Sequence, residues 1–310
     1  MMKNELGGVP ASGSAVGRYS RREVLRRLLT ASAVLYSVPG LAQFANAVGP
    51  LRPASHGPVV PHLRLLKIRH SSFLVELNGV RLGIDLCFAP NLNLGPLFSS
   101  PRPSLTPESI GDVDVLLFTS ARGDHFDASA LKKMTHRDAT CIVADAGLAK
   151  RVRNLGFHRV IQVHAGEQVS VRGLDIRISP SLDLWAPGPA VGFHLHCGER
   201  SVWHMGAPPP LDFFSAPVDF AKANPAEVVL ACADGQRLFG RPCGMALDDA
   251  LLLAALAKAR IVIPHHDDAA MSPLAALFAD RQPMNPLSLP HTTRLVSLEH
   301  GVWYRVRKRS

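Results

Sequence analysis

From His62 onward, apolar residues come in short runs divided by turn-forming residues, the pattern of strands more than of long helices. LRLLKI (63–68), SFLVEL (72–77), Asn78-Gly79 and VRLGID (80–85) predict strands, the last two joined by a two-residue hairpin turn. A loop with five prolines spans 87–112. It leads into VDVLLFT (113–119), a β-branched and leucine-rich run suited to the middle of a sheet. Asp127 predicts an N-cap for ASALKKM, TCIVA (140–144) a strand, and AGLAKRVRNLG a helix closing at Gly156. HRVIQV, EQVSVR and LDIRISP predict strands, the last two hinged at Gly173, and VGFHLHC and SVWHMG a hairpin across Gly198-Glu199. EVVLACA (227–233) predicts a buried strand, 245–258 a helix, RIVIPHH (260–266) a short strand, SPLAALFAD (272–280) a helix, and TRLVSL and VWYRV the closing strands. Meandering strands come first, then strands alternating with helices. That order predicts an α/β (α+β) protein: a four-layer αββα sandwich of two mixed β-sheets with outer helices.

The first 61 residues stand apart. Ser20-Arg21-Arg22-Glu23-Val24-Leu25-Arg26 resembles the twin-arginine export motif, and a mildly apolar stretch and a small-residue cleavage signal, Ala45-Asn46-Ala47, follow it. The expected organisation is a signal peptide over 1–47, a linker over 48–61, and one domain over 62–310. The export machinery is then a partner and the periplasm the destination. The stretch after the arginines falls short of the ~20 strongly apolar residues of a membrane span.

Composition changes the picture little. With 47% hydrophobic and 19% charged residues the chain is ordinary globular material. Of the formal net charge of +9, residues 1–47 hold six Lys/Arg and two Glu, so four of the nine charges belong to the signal. No basic stripe with interleaved aromatics remains, which argues against nucleic acid as a partner. The five cysteines form no CxxC pair, which argues against a zinc knuckle. Cys141 and Cys197 fall in apolar runs, whereas Cys232 and Cys243 could meet across a loop.

Chemistry concentrates where VDVLLFT runs out. Ser120, Arg122, Asp124 and His125 lie in the loop after that strand, and strand ends are where such folds place catalytic groups. Asp-His at that point suits a metal site or an acid/base site.

In order along the chain, Ile68-Arg69-His70-Ser71-Ser72-Phe73, Arg81-Leu82-Gly83-Ile84-Asp85, the proline-rich loop, Phe118 to Asp127, Trp203-His204-Met205-Gly206 and Ile261 to Asp268 resemble motifs of the metallo-β-lactamase fold hydrolases. The branch looks like the one holding ascorbate-phosphate lactonases and N-acyl-phosphatidylethanolamine phospholipases D. The resemblance covers His62 to the C-terminus and implies the αββα fold and a two-zinc site of His and carboxylate ligands. Carried over residue by residue, that site is half complete. Ser120 and Arg122 fall on the first two histidines, Asp183 on the third, Ala207 on the bridging Asp, and Gly244 on a further histidine of the phospholipase branch. Asp124, His125 and His266 match the second metal's ligands.

Three readings follow. In the first, Asp124, His125 and His266 hold one zinc or iron(II) ion with a bound water, and His265, Asp267 or Asp268 adds a ligand or base. Two histidines and a carboxylate suffice for a metal with open positions. Arg122 would then face an anionic small-molecule substrate, and the protein would hydrolyse an ester, lactone or phosphodiester. In the second, no metal binds: Arg122 takes the first metal's place, paired with Asp124 or Asp183, and the protein is a binding module or a folded relic. In the third, Ser120 is a nucleophile and His125 its base. His70 is expected to brace a loop by hydrogen bonding, Asp85 to cap or brace the loop behind the site, His194 and His196 to share an exposed strand face, and His158 and His164 to lie on the surface.

Overall fold

The computed structural model describes residues 62–307 apart from 90–91, 93–97, 104, 185–187, 239–240, 243, 269, 272–278 and 282–292. The expected signal peptide, the linker and Cys243 lie outside the described residues.

Fourteen main strands build two sheets of seven. They are β1 (Leu63–Arg69), β2 (Ser72–Leu77), β3 (Val80–Ile84), β4 (Val115–Phe118), β5 (Thr140–Val143), β6 (Val160–Gln162), β7 (Gln168–Val171), β8 (Leu174–Ser181), β9 (Ala190–Cys197), β10 (Arg200–His204), β11 (Val228–Cys232), β12 (Ile261–His265), β13 (Arg294–Leu295) and β14 (Trp303–Val306). The first sheet runs β14-β1-β2-β3-β4-β5-β6 and the second β13-β12-β11-β10-β9-β8-β7. Each is antiparallel at one side and parallel at the other: β3 to β6 run parallel, as do β10 to β13. Short ribbons pair Gln236–Leu238 with Arg241–Pro242 and Ala279–Arg281, and Phe98–Ser99 with Ala270–Met271.

Strand alternation assigns the layers. In β4, Val115 and Leu117 enter the core between the sheets, with Ile178, Phe193, Leu230 and Ile263 from the other side. Leu116 and Phe118 face outward, under α1 (Ala128–Lys133) and α2 (Ala146–Asn154). On the second sheet Trp203, Val229 and Val262 face outward, under α3 (Ala216–Ala223) and α4 (Leu247–Leu256). The αββα sandwich is thus the observed architecture.

Local signals account for most boundaries. Asn78 (φ 50°) and Gly79 (φ 87°) turn the hairpin between β2 and β3. Asp127 caps α1 by accepting from the Ala130 N–H at 3.0 Å. One helix goes unannounced and two expectations fail. α3, with Pro217 in its first turn, carries too short an apolar pattern to announce itself. Ala279 and Asp280, the end of the expected helix over 272–280, lie in a strand because Gln236–Leu238 offers them a ladder; the rest of that helix lies outside the described residues. His194 is buried, its Nε2 3.0 Å from the Pro225 carbonyl and its ring against Phe220 of α3. The expected exposed face is covered by the helix that the sequence pattern did not reveal. His158 and His164 are exposed as expected.

Candidate metal centre

Parallel strands deliver their C-terminal ends to one edge of the sandwich, and the candidate residues meet there. β3 delivers Asp85, β4 the loop 119–125, β10 His204, β11 Cys232 and β12 His265 with His266. The β1–β2 turn adds His70, and Asp183 follows β8. His70 (φ 44°), Asp85 (φ 47°) and His266 (φ 62°) are in the left-handed region that residues other than Gly and Asn rarely enter. Such strain is tolerated where packing over-determines it, and it clusters at functional sites.

At the centre stands Arg122. Its Nε donates to Asp124 Oδ1 at 2.5 Å and its Nη2 to Asp124 Oδ2 at 2.7 Å, a two-pronged bond to a fully buried carboxylate. Nη1 donates to Asp183 at 3.1 Å. Nη2 is also 3.0 Å from His125 Nε2 and 3.4 Å from His266 Nε2. Burial disfavours the guanidinium's charge, but Asp124 and Asp183 together raise its pKa. Burial would raise Asp124 likewise; Arg122 first, then His125 and His70, hold its carboxyl well below the usual range.

The three retained candidate ligands surround Nη2. His125 Nε2 and His266 Nε2 are 3.3 Å apart, His125 Nε2 and Asp124 Oδ2 3.7 Å, and His266 Nε2 and Asp124 Oδ2 3.9 Å. Ligands about 2.0–2.1 Å from a tetrahedral zinc ion would be roughly 3.4 Å apart. The donor set therefore fits one divalent cation, and a guanidinium nitrogen is the stand-in cation at its centre. The expectation that Arg122 pairs with Asp124 or Asp183 is met, whereas its placement in the first metal's position needs correction. Its Nη2 sits among the second metal's ligands, and it pairs with both carboxylates. The five-donor fork allows this.

The surrounding groups aim the donors. Asp85 Oδ2 is 2.6 Å from His125 Nδ1, and Asp85 accepts from the Thr119 backbone N–H (2.8 Å) and hydroxyl (2.6 Å). This carboxylate behind His125 turns Nε2 inward, the arrangement that orients metal-binding histidines. Burial opposes a charge on His125, but Asp124 and then Asp85 raise its proton affinity, with Arg122 opposing them. His70 does more than brace a loop. Asp268 accepts from its backbone N–H (2.7 Å) and lies 3.0 Å from its Nδ1, while its Nε2 is 3.3 Å from Asp124 Oδ2. His70, Asp124 and His266 offer donor atoms within 4.8 Å of one another.

Other candidates fall elsewhere. Asp267 is paired with Lys67 at 2.5 Å, a strut outside the cradle. Asp268 serves His70 and His300. His265 lies behind His266, their Nδ1 atoms 2.6 Å apart, its ring stacked on His204 at 4.5 Å. Burial, then neighbouring charges, keeps His265 and His266 well below 6.5. Ser120 Oγ donates to Asp183 at 3.1 Å and accepts from the Arg122 N–H at 3.3 Å. It makes no hydrogen bond to His125, so the Ser–His pair of the third reading does not assemble. Gly244 is packed against the Asp234 carboxylate, which leaves no room for a side chain as it stands. The sequence reading missed Thr119, His204 and Cys232; only their places at strand ends could have signalled them.

A family model described as a β-lactamase superfamily domain matches residues 87–266. The chain belongs to the metallo-β-lactamase superfamily. Among curated relatives, a Mycolicibacterium smegmatis protein provisionally named a Rieske 2Fe-2S iron-sulfur protein is 28% identical over 52% of this chain and 33% of its own length. A Methanosphaera stadtmanae protein named UPF0173 metal-dependent hydrolase is 29% identical over 64% of this chain and 80% of its own. This chain thus spans about a third of the first relative. In fold it is similar to Igni18, a metallo hydrolase of Ignicoccus hospitalis, with TM-score 0.58 and 19% identity over 80% of this chain and 100% of the other. The superfamily's members include metal-dependent hydrolases, and this chain presents candidate ligands for a metal.

Proposed function

We propose that this protein is a single-metal hydrolase whose metal cradle is closed by its own Arg122. The observation that carries the reading is the cradle: three inward donors at 3.3 to 3.9 Å with a cationic nitrogen among them. A zinc or iron(II) ion placed there would lower the pKa of a bound water to ~7 and polarise the substrate. The chain's own groups do the rest. Arg122 has to leave Asp124, and Asp183 with Ser120 gives the guanidinium somewhere to remain. There, relieved of one of its two carboxylates, it can hold the anionic end of an ester, lactone or phosphodiester. Asp85 keeps His125 Nδ1 engaged, and Asp268 does the same for His70. The motif at Ser20–Arg26 supports export by the twin-arginine route, which carries proteins already folded, to the periplasm.

A second reading has one observation in its favour. The two-pronged bond to buried Asp124 already satisfies the carboxylate, and breaking it leaves an uncompensated charge. On that reading Arg122 stays and the cleft only binds.

Zinc affinity measured by chelator competition separates the two. In the single-metal hydrolase, Arg122→Ala tightens zinc binding at least tenfold, His125→Ala in that background removes the gain, and the zinc-loaded wild type, which keeps Arg122 for the substrate, hydrolyses one of the three substrate classes. Equal zinc affinity in wild type and Arg122→Ala would leave the non-catalytic reading standing.

A further inference from the structure

β11 and β12 run parallel, and Cys232 is the register partner of His265. Leu230 and Ile263, two residues earlier in each strand, enter the core between the sheets, so Cys232 and His265 leave their strands toward that same side. Cys232, His265 and His266 are all buried, and their donor atoms lie within 4.8 Å of one another. Cys232 takes no part in the cradle around Arg122, and His265 touches it only through its Nδ1 contact with His266.

One further observation points to a ligand, and another places the neighbouring imidazole. His265 Nε2 is buried without a hydrogen-bond partner, an expensive arrangement for an imidazole. Its Nδ1 faces His266 Nδ1 at 2.6 Å. Two imidazole nitrogens that close share a proton, and a metal ion bound at either would have to displace that proton and spread the rings. His266 has a nitrogen for each neighbour: Nε2 faces His125 and Arg122, and Nδ1 faces His265. The cradle and the Cys232 cluster are therefore adjacent positions sharing one residue.

We propose that Cys232, His265 and His266 form a second cation site, for a thiophilic ion of the zinc class. A thiolate with two imidazoles is a soft donor set that favours zinc or copper(I) over magnesium or calcium. Binding replaces the proton on Cys232 Sγ, which passes to solvent, and forms one sulfur–metal and two nitrogen–metal bonds. In a tetrahedral site the donors stand about 3.3–3.7 Å from each other, so Cys232 Sγ draws in while the two imidazoles part from their 2.6 Å contact, and one position is left open. The site does not depend on Arg122 leaving Asp124, so it stands or falls apart from the hydrolase reading.

Cobalt(II), a spectroscopic substitute for zinc, tests this directly on the metal-stripped full chain. A thiolate ligand gives a near-ultraviolet sulfur-to-cobalt charge-transfer absorption that His and carboxylate ligands do not. The expected result is this absorption saturating at one equivalent, absent in Cys232→Ser, retained in Cys243→Ser and His125→Ala, and needing at least tenfold more cobalt in His265→Gln. Cobalt bound without the absorption in the wild type would overturn the site while leaving the cradle intact. Persistence of the absorption in Cys232→Ser would overturn it as well. Should Cys232→Ser fail to fold, His265→Gln decides, since an unchanged titration there refutes the site.

Discussion

The two sides of the Arg122 guanidinium are built on different principles. On one side His125, His266 and His70 present ring nitrogens, and each ring is held from behind: His125 by Asp85, His70 by Asp268, His266 by His265. On the other, where the family pattern has three histidines and a bridging carboxylate, Ser120 and Asp183 bond to each other and to Arg122, and Ala207 offers a methyl group. The side that retains donors also retains the groups that aim them. The other side is an ion pair that can satisfy itself without a metal. A donor set is worth as much as the shell that orients it, and only one side of this cleft has both.

The sharpest way to break the comparison is to remove the ion between the sides. Arg122→Ala strands the buried Asp124 carboxylate, and removing one partner of a buried pair costs about 3–5 kcal/mol. Urea unfolding should show that loss at neutral pH. If the imidazole side is a metal cradle, zinc at a hundred times its Kd returns about 2.7 kcal/mol to the variant. If it is not, zinc shifts variant and wild type alike.

The imidazole side should also be the acid-sensitive one. Burial pushes His204 down to about 4, from about 6.5 in the unfolded chain. Between those values the unfolded state binds more protons, so stability is complete above pH ~6.5 and falls by up to about 3 kcal/mol as pH drops to ~4. His265 and His266, lowered in the same direction, extend that fall, while His125, raised by Asp124 and Asp85, opposes it. Unfolding free energies measured between pH 8 and pH 4 should show this limb, and His204→Gln should flatten it. A smaller effect separates aiming from filling. Asp85→Asn keeps the volume but gives up a charged acceptor shared by Thr119 and His125, at a cost of about 2 kcal/mol. In the Arg122→Ala background it should also weaken zinc binding about 10–100-fold. Unchanged zinc affinity would mean that Asp85 does not orient His125.

Much of this arrangement was legible in the residues. The Asn78-Gly79 hairpin, the β4 run and the alternation of strands with helices predict the sandwich, because each rests on local geometry or periodicity. Asp124, His125 and His266 were nameable because a motif fixes their places. What the sequence could not supply is direction. Arg122 in the loop is compatible with either metal's place, and only the meeting of the β4, β8 and β12 ends puts Nη2 among Asp124, His125 and His266. Cys232 is unreadable for the same reason. In EVVLACA it resembles any buried cysteine, and its neighbour His265 is set by the register of two parallel strands 33 residues apart in sequence. The burial of His194 was missed because α3, which covers it, is short and has Pro217 in its first turn.

The mildest test bears on the other side of the guanidinium. The Ser120 hydroxyl donates to Asp183 and accepts from the Arg122 backbone N–H, so Ser120→Ala removes two neutral-donor hydrogen bonds from a site in which Asp183 keeps its guanidinium partner. Because Asp183 stays paired, the expected cost is about 1 kcal/mol, within the range of ordinary hydrogen-bond deletions and well short of a stranded charge. If this side belongs to the ion pair alone, the variant binds zinc as the wild type does, and the loss appears only in the unfolding midpoint. A tenfold change in zinc affinity, in either direction, would mean that Ser120 helps decide whether Arg122 stays on Asp124. The two sides would then be coupled through Asp183, with Ser120 acting on the cradle through the guanidinium it helps to hold.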